Sequence, residues 1–147
     1  MTPFLRSCAL LVCMALAASL AHAIDNPDAP DEVAAFEQRA KPLEEHFLRQ
    51  SETSGIHQAG AAYAKFLDQE LNRAYQLLLK KLDSSTREQL KKSQRAWLAH
   101  YQAEAQFIDA NWTPAHFGDS YVLSRQDYRN TLVKERVLVL LRYLRNY

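Results

Sequence analysis

The stretch YAKFLDQELNRAYQLLLKKLDSSTREQL, residues 63–90, decides the fold. Tyr63, Phe66, Leu67, Leu71, Ala74, Leu78 and Leu82 recur at three- and four-residue steps, the period of one apolar stripe along an α-helix. A long amphipathic helix is therefore predicted over about residues 56–82. Asp83-Ser84 ends it. Residues 85–88, STRE, match a capping box, in which Ser85 and Glu88 each satisfy a backbone N–H at a helix start. The next helix is predicted from about Thr86, with Leu90, Trp97, Tyr101, Ala105 and Ile108 on its apolar stripe and Lys91, Lys92, Arg95 and Gln102 mostly off it. So short a turn predicts that the two helices are antiparallel neighbours.

Downstream, NWTPAHFGDS at residues 111–120 reads as a loop, because Pro, Gly and short polar residues replace the helical period. With its flanks (110–126) it is long for a small domain, and such loops are often functional. Ser124-Arg125-Gln126-Asp127 is expected to open a last helix bearing Tyr128, Leu132, Val139, Leu140, Leu141 and Leu144. Upstream, SETSG at residues 51–55 is a break. Asp31 caps an earlier helix, which Pro42 either divides or kinks. Only 3 glycines occur in 147 residues, as expected of helical composition. The predicted fold is all-α: a small up-and-down bundle of three long helices plus a short or kinked N-terminal helix.

The chain opens with one Arg, an apolar run over residues 8–20 and Ala21-His22-Ala23, the order of a secretory leader cut after Ala23. Residues 24–30, IDNPDAP, then form a flexible lead into a single domain over residues 31–147. The apolar run is too short for a stable membrane anchor, and none is expected after cleavage. Both cysteines, Cys8 and Cys13, lie in the leader, so the mature chain is expected to lack thiols and disulfides. Cleavage also removes Arg6, one of 18 Lys+Arg, which then balance 17 Asp+Glu. A neutral chain has no basic excess to collect phosphates, and nucleic acid is discounted as a partner.

Chemistry-bearing residues are sparse. His100 and Glu104 share a helix face at i,i+4, but metal sites need more ligands, and no metal or other cofactor is expected. His46, His57 and His116 are scattered on separate segments. No G-x-S-x-G, phosphate loop or dinucleotide loop occurs, so the chain reads as a non-enzyme. Trp97 and Tyr101 continue the apolar stripe and are read as core. Arg95 is expected to meet an acid on the preceding helix, Asp68 or Glu70, and with Glu104 to hold the bundle together. Trp112, His116 and Phe117 fall in the loop, where apolar rings have less reason to be, and are the predicted binding residues.

Residues 67–82, LDQELNRAYQLLLKKL, followed by residues 87–108, REQLKKSQRAWLAHYQAEAQFI, resemble the LprI-like lysozyme-inhibitor domain of small exported bacterial proteins. The pattern is D-x-x-L-N-x-x-Y, then L-x-x-x-Q-R-x-W, an acid near the helix end, a loop with Gly and Ser, and an Arg on the final helix. Asp68, Leu71, Asn72, Tyr75, Leu90, Gln94, Arg95, Trp97 and Glu104 fit it, as do Gly118, Ser120 and Arg136, across about residues 57–144. The resemblance also implies cysteines beside that acid and at the start of the last helix. Here those places hold Ala105 and Asp127-Tyr128, so no bridge forms and stability must come from the core. It implies an exported envelope protein whose partner is lysozyme or another cell-wall-associated protein. The alternatives are a structural or stress-related envelope protein and, further off, a hydrolase using His100 and Glu104.

Overall fold

The computed structural model describes residues 30–147; the leader and residues 24–29 lie outside the described residues. The fold is all-α, as the sequence predicts. α1 (Glu32–Leu48) begins at Asp31, whose carboxylate accepts the N–H of Ala34 at 2.9 Å. It runs through Pro42 as one helix and buries Phe36, Ala40 and Phe47, residues three and four apart. α2 (Thr53–Lys81) starts inside the expected break and buries Ile56, Ala59, Tyr63, Leu67, Leu71, Ala74 and Leu78. α3 (Ser84–Asn111) follows with almost no linker. Its cap is Asp83, which accepts from both the N–H and the hydroxyl of Thr86, and not the expected Ser85. A carboxylate at this position satisfies a donor and also faces the positive end of the helix dipole.

The expected loop shrinks to a few residues. Pro114 opens a single helical turn, α4 (Pro114–Phe117), and Gly118 leaves it with φ 53, a left-handed value that a Cβ would strain. α5 (Ser120–Leu144) starts four residues before the expected Ser124.

The packing order also differs from the expected one. α2 and α3 are consecutive and yet do not pack along each other; α5 is the central helix, lying along α2 and touching α1, α3 and α4. Its buried Val122, Val137, Leu140 and Leu141 join the stripes of α1 and α2 in one core. Gly60 marks the closest approach: a Cβ there would collide with the Gln126 side chain of α5 and lie 3.1 Å from Phe47 of α1.

α3 buries only Leu90 and Ile108, near its two ends. Trp97 is half-buried against the core, and Tyr101 and Ala105 are half-buried as well, so the expected seam is only partly closed. Arg136 of α5 secures the middle of α3. Its Nε donates to Gln94 Oε1 at 3.0 Å, one terminal nitrogen donates to Ser93 Oγ at 3.1 Å, and the guanidinium lies 5.9 Å from the Trp97 ring centre.

Two polar clusters fix α1. Glu70 takes Arg39 at 2.8 Å and Arg73 at 3.0 Å, and Arg73 reaches on to Glu32 at 3.0 Å. Lys134 of α5 meets Glu44 at 2.6 Å. Beside that second pair burial pushes the Asp127 carboxyl up, Glu44 adding to the effect and Lys134 opposing it. Burial and the same Glu44 push the Tyr63 hydroxyl well above its usual range. Tyr63 Oη, Asn130 Nδ2 and Gln126 Oε1 are buried without a hydrogen-bond partner among the described residues.

Candidate functional site

The end of the bundle where α3, α4 and α5 meet gathers aromatic rings. Trp112 caps α3, its N–H still donating to the Ile108 carbonyl. Its own carbonyl accepts Arg125 Nε at 2.6 Å, while another Arg125 nitrogen reaches the Asp109 carbonyl at 2.5 Å. The last carbonyls of a helix have no intrahelical donor, so a cation from α5 both satisfies them and meets the negative end of the dipole. Arg129 adds an ion pair to the Asp109 carboxylate. The Trp112 ring is thus held on a fixed backbone.

Other rings gather around it. Tyr128 of α5 lies 4.4 Å from Trp112 between ring centres, Phe107 of α3 meets it edge-on at 6.1 Å, and Phe117 of α4 stacks at 6.2 Å. His116 stands edge-on to Phe117. Trp112 itself is half-buried, but Phe107 is 58% exposed, Tyr128 45% and Phe117 43%. Three large rings, each against Trp112 and open to water, form one apolar patch around it, unlike a scatter of single exposed side chains. The structure brings the sequence-predicted Trp112, His116 and Phe117 together here and adds Phe107 and Tyr128.

Next to the rings lies a hollow of about 290 Å³, with Phe107, Trp112, Tyr128 and Leu132 on its walls and Glu104 and Glu135 at its sides. Neither carboxylate makes a hydrogen bond or ion pair among the described residues. Glu104 therefore does not hold the bundle through a polar contact, as expected of it, but borders this aromatic hollow.

Six of the other pattern residues collect at a second place. Asp68, Leu71, Asn72 and Tyr75 of α2 and Gln94 and Arg95 of α3 line one groove of about 320 Å³ between the two helices. Arg95 is exposed and pairs with neither Asp68 nor Glu70. Glu70 is turned toward α1 and taken by Arg39 and Arg73, while Asp68 is bonded by Asn72 Nδ2 through its carbonyl at 3.0 Å and its carboxylate at 3.3 Å. The expected Arg95 ion pair does not form: both acids have other partners, and α2 and α3 do not pack closely along each other. Trp97 and Arg136 stay behind the groove, with Arg136 gripping Gln94.

His100 is exposed, and no hydrogen bond joins it to Glu104 among the described residues. His57 meets Gln126 at 3.3 Å and is not among the rings of the aromatic cluster. No group of three metal-ligating side chains occurs among the described residues, and none of the described helices is long and apolar enough to cross a membrane.

Neither a curated relative nor a solved structure matches the chain. A family model described as lysozyme inhibitor LprI matches residues 48–140, which run from the end of α1 through the core of α5 and include both the groove and the aromatic hollow. By that match, over more than half of its length, the chain belongs to the lysozyme inhibitor LprI family.

Proposed function

We propose that the protein is an exported envelope binding protein that inhibits lysozyme, freed from its leader after Ala23, and that the aromatic hollow is the surface with which it does so. The observation that carries this reading is the open set of rings around two unpaired carboxylates, Glu104 and Glu135. Large rings dominate binding energy at protein interfaces because they bury much area at little entropic cost. Lysozyme is a basic enzyme whose substrate cleft holds a pair of carboxyl groups. An Arg or Lys from the rim of that cleft fits the hollow, its cation between two carboxylates and against ring faces. Phe117 and Trp112, held forward by α4 and the Arg125 staple, then lie over the cleft and deny it to the glycan.

Titration calorimetry of residues 24–147 against lysozymes of several types, with a turbidity assay of cell-wall lysis alongside, tests this reading. Binding with inhibition is expected. Phe117→Ala and the pair Glu104→Gln, Glu135→Gln each weaken it at least about tenfold, the loss of roughly 1.4 kcal/mol, without lowering the melting temperature. Absence of binding to every type would leave the alternative, an envelope protein with a different partner.

A further inference from the structure

We infer that the groove between α2 and α3 is a second binding site, separate from the aromatic hollow, for a small N-acylated carboxylate. Two helices joined by so short a turn ordinarily close on each other, yet here they make few contacts, and the space between them carries polar groups beside the apolar Leu71, Tyr75 and Leu98. The polar groups have complementary roles. On the α3 wall, the Arg95 guanidinium makes no hydrogen bond or ion pair among the described residues; its charge reaches Glu88 only through space. A planar fork of donors left this way suits a carboxylate in bidentate geometry. Lys91 is occupied by Glu88 at 2.7 Å and adds only field.

On the α2 wall, Asn72 spends its amide hydrogens on Asp68, which leaves Asn72 Oδ1 and the second Asp68 carboxylate oxygen as acceptors. They call for an N–H donor. Gln94 completes the set. Because Arg136 Nε donates to Gln94 Oε1, the amide is fixed with Nε2 as its remaining group, a donor for a carbonyl oxygen. Arg95 for a carboxylate, Asp68 and Asn72 for an N–H and Gln94 for a carbonyl together describe an acylamino acid or an acylamino sugar carrying an acid. A volume of about 320 Å³ is at the small end of ligand pockets, enough for one such unit. Both sources of this chemistry occur in the bacterial cell wall, the acid-bearing sugar and the peptide attached to it. The site does not depend on lysozyme binding.

Amide NMR titrations of the purified protein as the cell processes it test the inference, with N-acetylmuramic acid and N-acetyl-alanyl-alanine as probes and N-acetylglucosamine as the control without a carboxylate. We expect one or both acids to shift the side-chain signals of Asn72, Gln94 and Arg95, with saturation at about millimolar concentration, the range set by a few exposed hydrogen bonds. Which acid binds identifies the source. Arg95→Gln is expected to weaken binding at least tenfold while leaving the melting temperature and any lysozyme affinity unchanged. The inference is overturned if neither acid shifts these signals, if the neutral sugar binds as well, or if Arg95→Gln binds as tightly as the parent.

Discussion

Replacing Arg136 with Met keeps an unbranched side chain of similar reach and removes the guanidinium that secures α3. Three interactions go at once: the partly buried bond to Gln94, the exposed bond to Ser93 and the contact with the Trp97 ring. A partly buried bond to a charged group contributes about 1.5 kcal/mol and an exposed one about 0.5. A half-exposed cation–π contact adds about 0.5. Met then recovers some apolar burial, because the guanidinium resists it: desolvation lowers the affinity of Arg136 for its proton. A net loss of about 2 kcal/mol is expected, which for a domain of this size lowers the melting temperature by roughly 6–8 °C. Since α3 buries only Leu90 and Ile108, the damage should be local. Hydrogen exchange of α3 amides between those residues is expected to accelerate, while α1 and α2 amides change only with global stability. A melting temperature within about 2 °C of the parent, with α3 still protected, would refute the view that Arg136 holds the helix in place.

Arg95→Ala is expected to melt with the parent, as judged by circular dichroism, because its side chain is exposed and makes no ion pair among the described residues. Glu70→Gln keeps the shape but takes the charge partner from Arg39 and leaves Arg73 with Glu32 alone; with both arginines partly in water the expected cost is about 1–2 kcal/mol, read from urea midpoints. That cost depends on pH. Burial would raise the Glu70 carboxyl, but the bonds from Arg39 and Arg73 outweigh it and hold it below the usual carboxylate range. Its stabilisation is full above the unfolded value of about 4.3 and lost as pH falls through the folded one, so parent and variant should converge in acid. Asp127→Asn works in the opposite sense: burial raises this carboxyl, so ionising it costs stability as pH rises, and the variant should melt higher than the parent at pH 7 with the gain vanishing in acid.

The long helices were legible from period alone, because α1 and α2 each bury one stripe of residues three and four apart. The central place of α5 was not. A helix packed on several sides has apolar residues around much of its circumference, and the run at residues 137–141 signals burial without naming which partner takes which face. The α3 start was ambiguous for a simple reason. Asp83, Ser84 and Ser85 are all good caps, and only geometry selects among adjacent candidates. α4 was signalled more clearly than its reading as loop allowed: Pro114 and Gly118 bracket one turn with Pro at its first residue and Gly just past its last.

At the candidate site, Trp112, His116 and Phe117 stood out because rings in a Pro- and Gly-containing segment lack a stripe to join. Phe107 and Tyr128 did not stand out, since each lies on a long helix where one aromatic is unremarkable. Their meeting depends on how α3 and α5 converge. The Arg95 ion pair failed for the same reason in reverse. Chain order made α2 and α3 look like packed neighbours, while both helices pack instead on α5 and leave a groove between their own walls.

The central claim is that the aromatic hollow captures a basic enzyme, and it is tested most directly by calorimetric titration of lysozyme into the parent and into the Glu104→Gln, Glu135→Gln pair at low and moderate salt. The account predicts saturable binding by the parent that weakens as salt rises, and at least about tenfold weaker, less salt-sensitive binding by the charge-neutralised pair. Equal affinity and equal salt dependence for the two proteins, or no heat of binding with any lysozyme type, would contradict it.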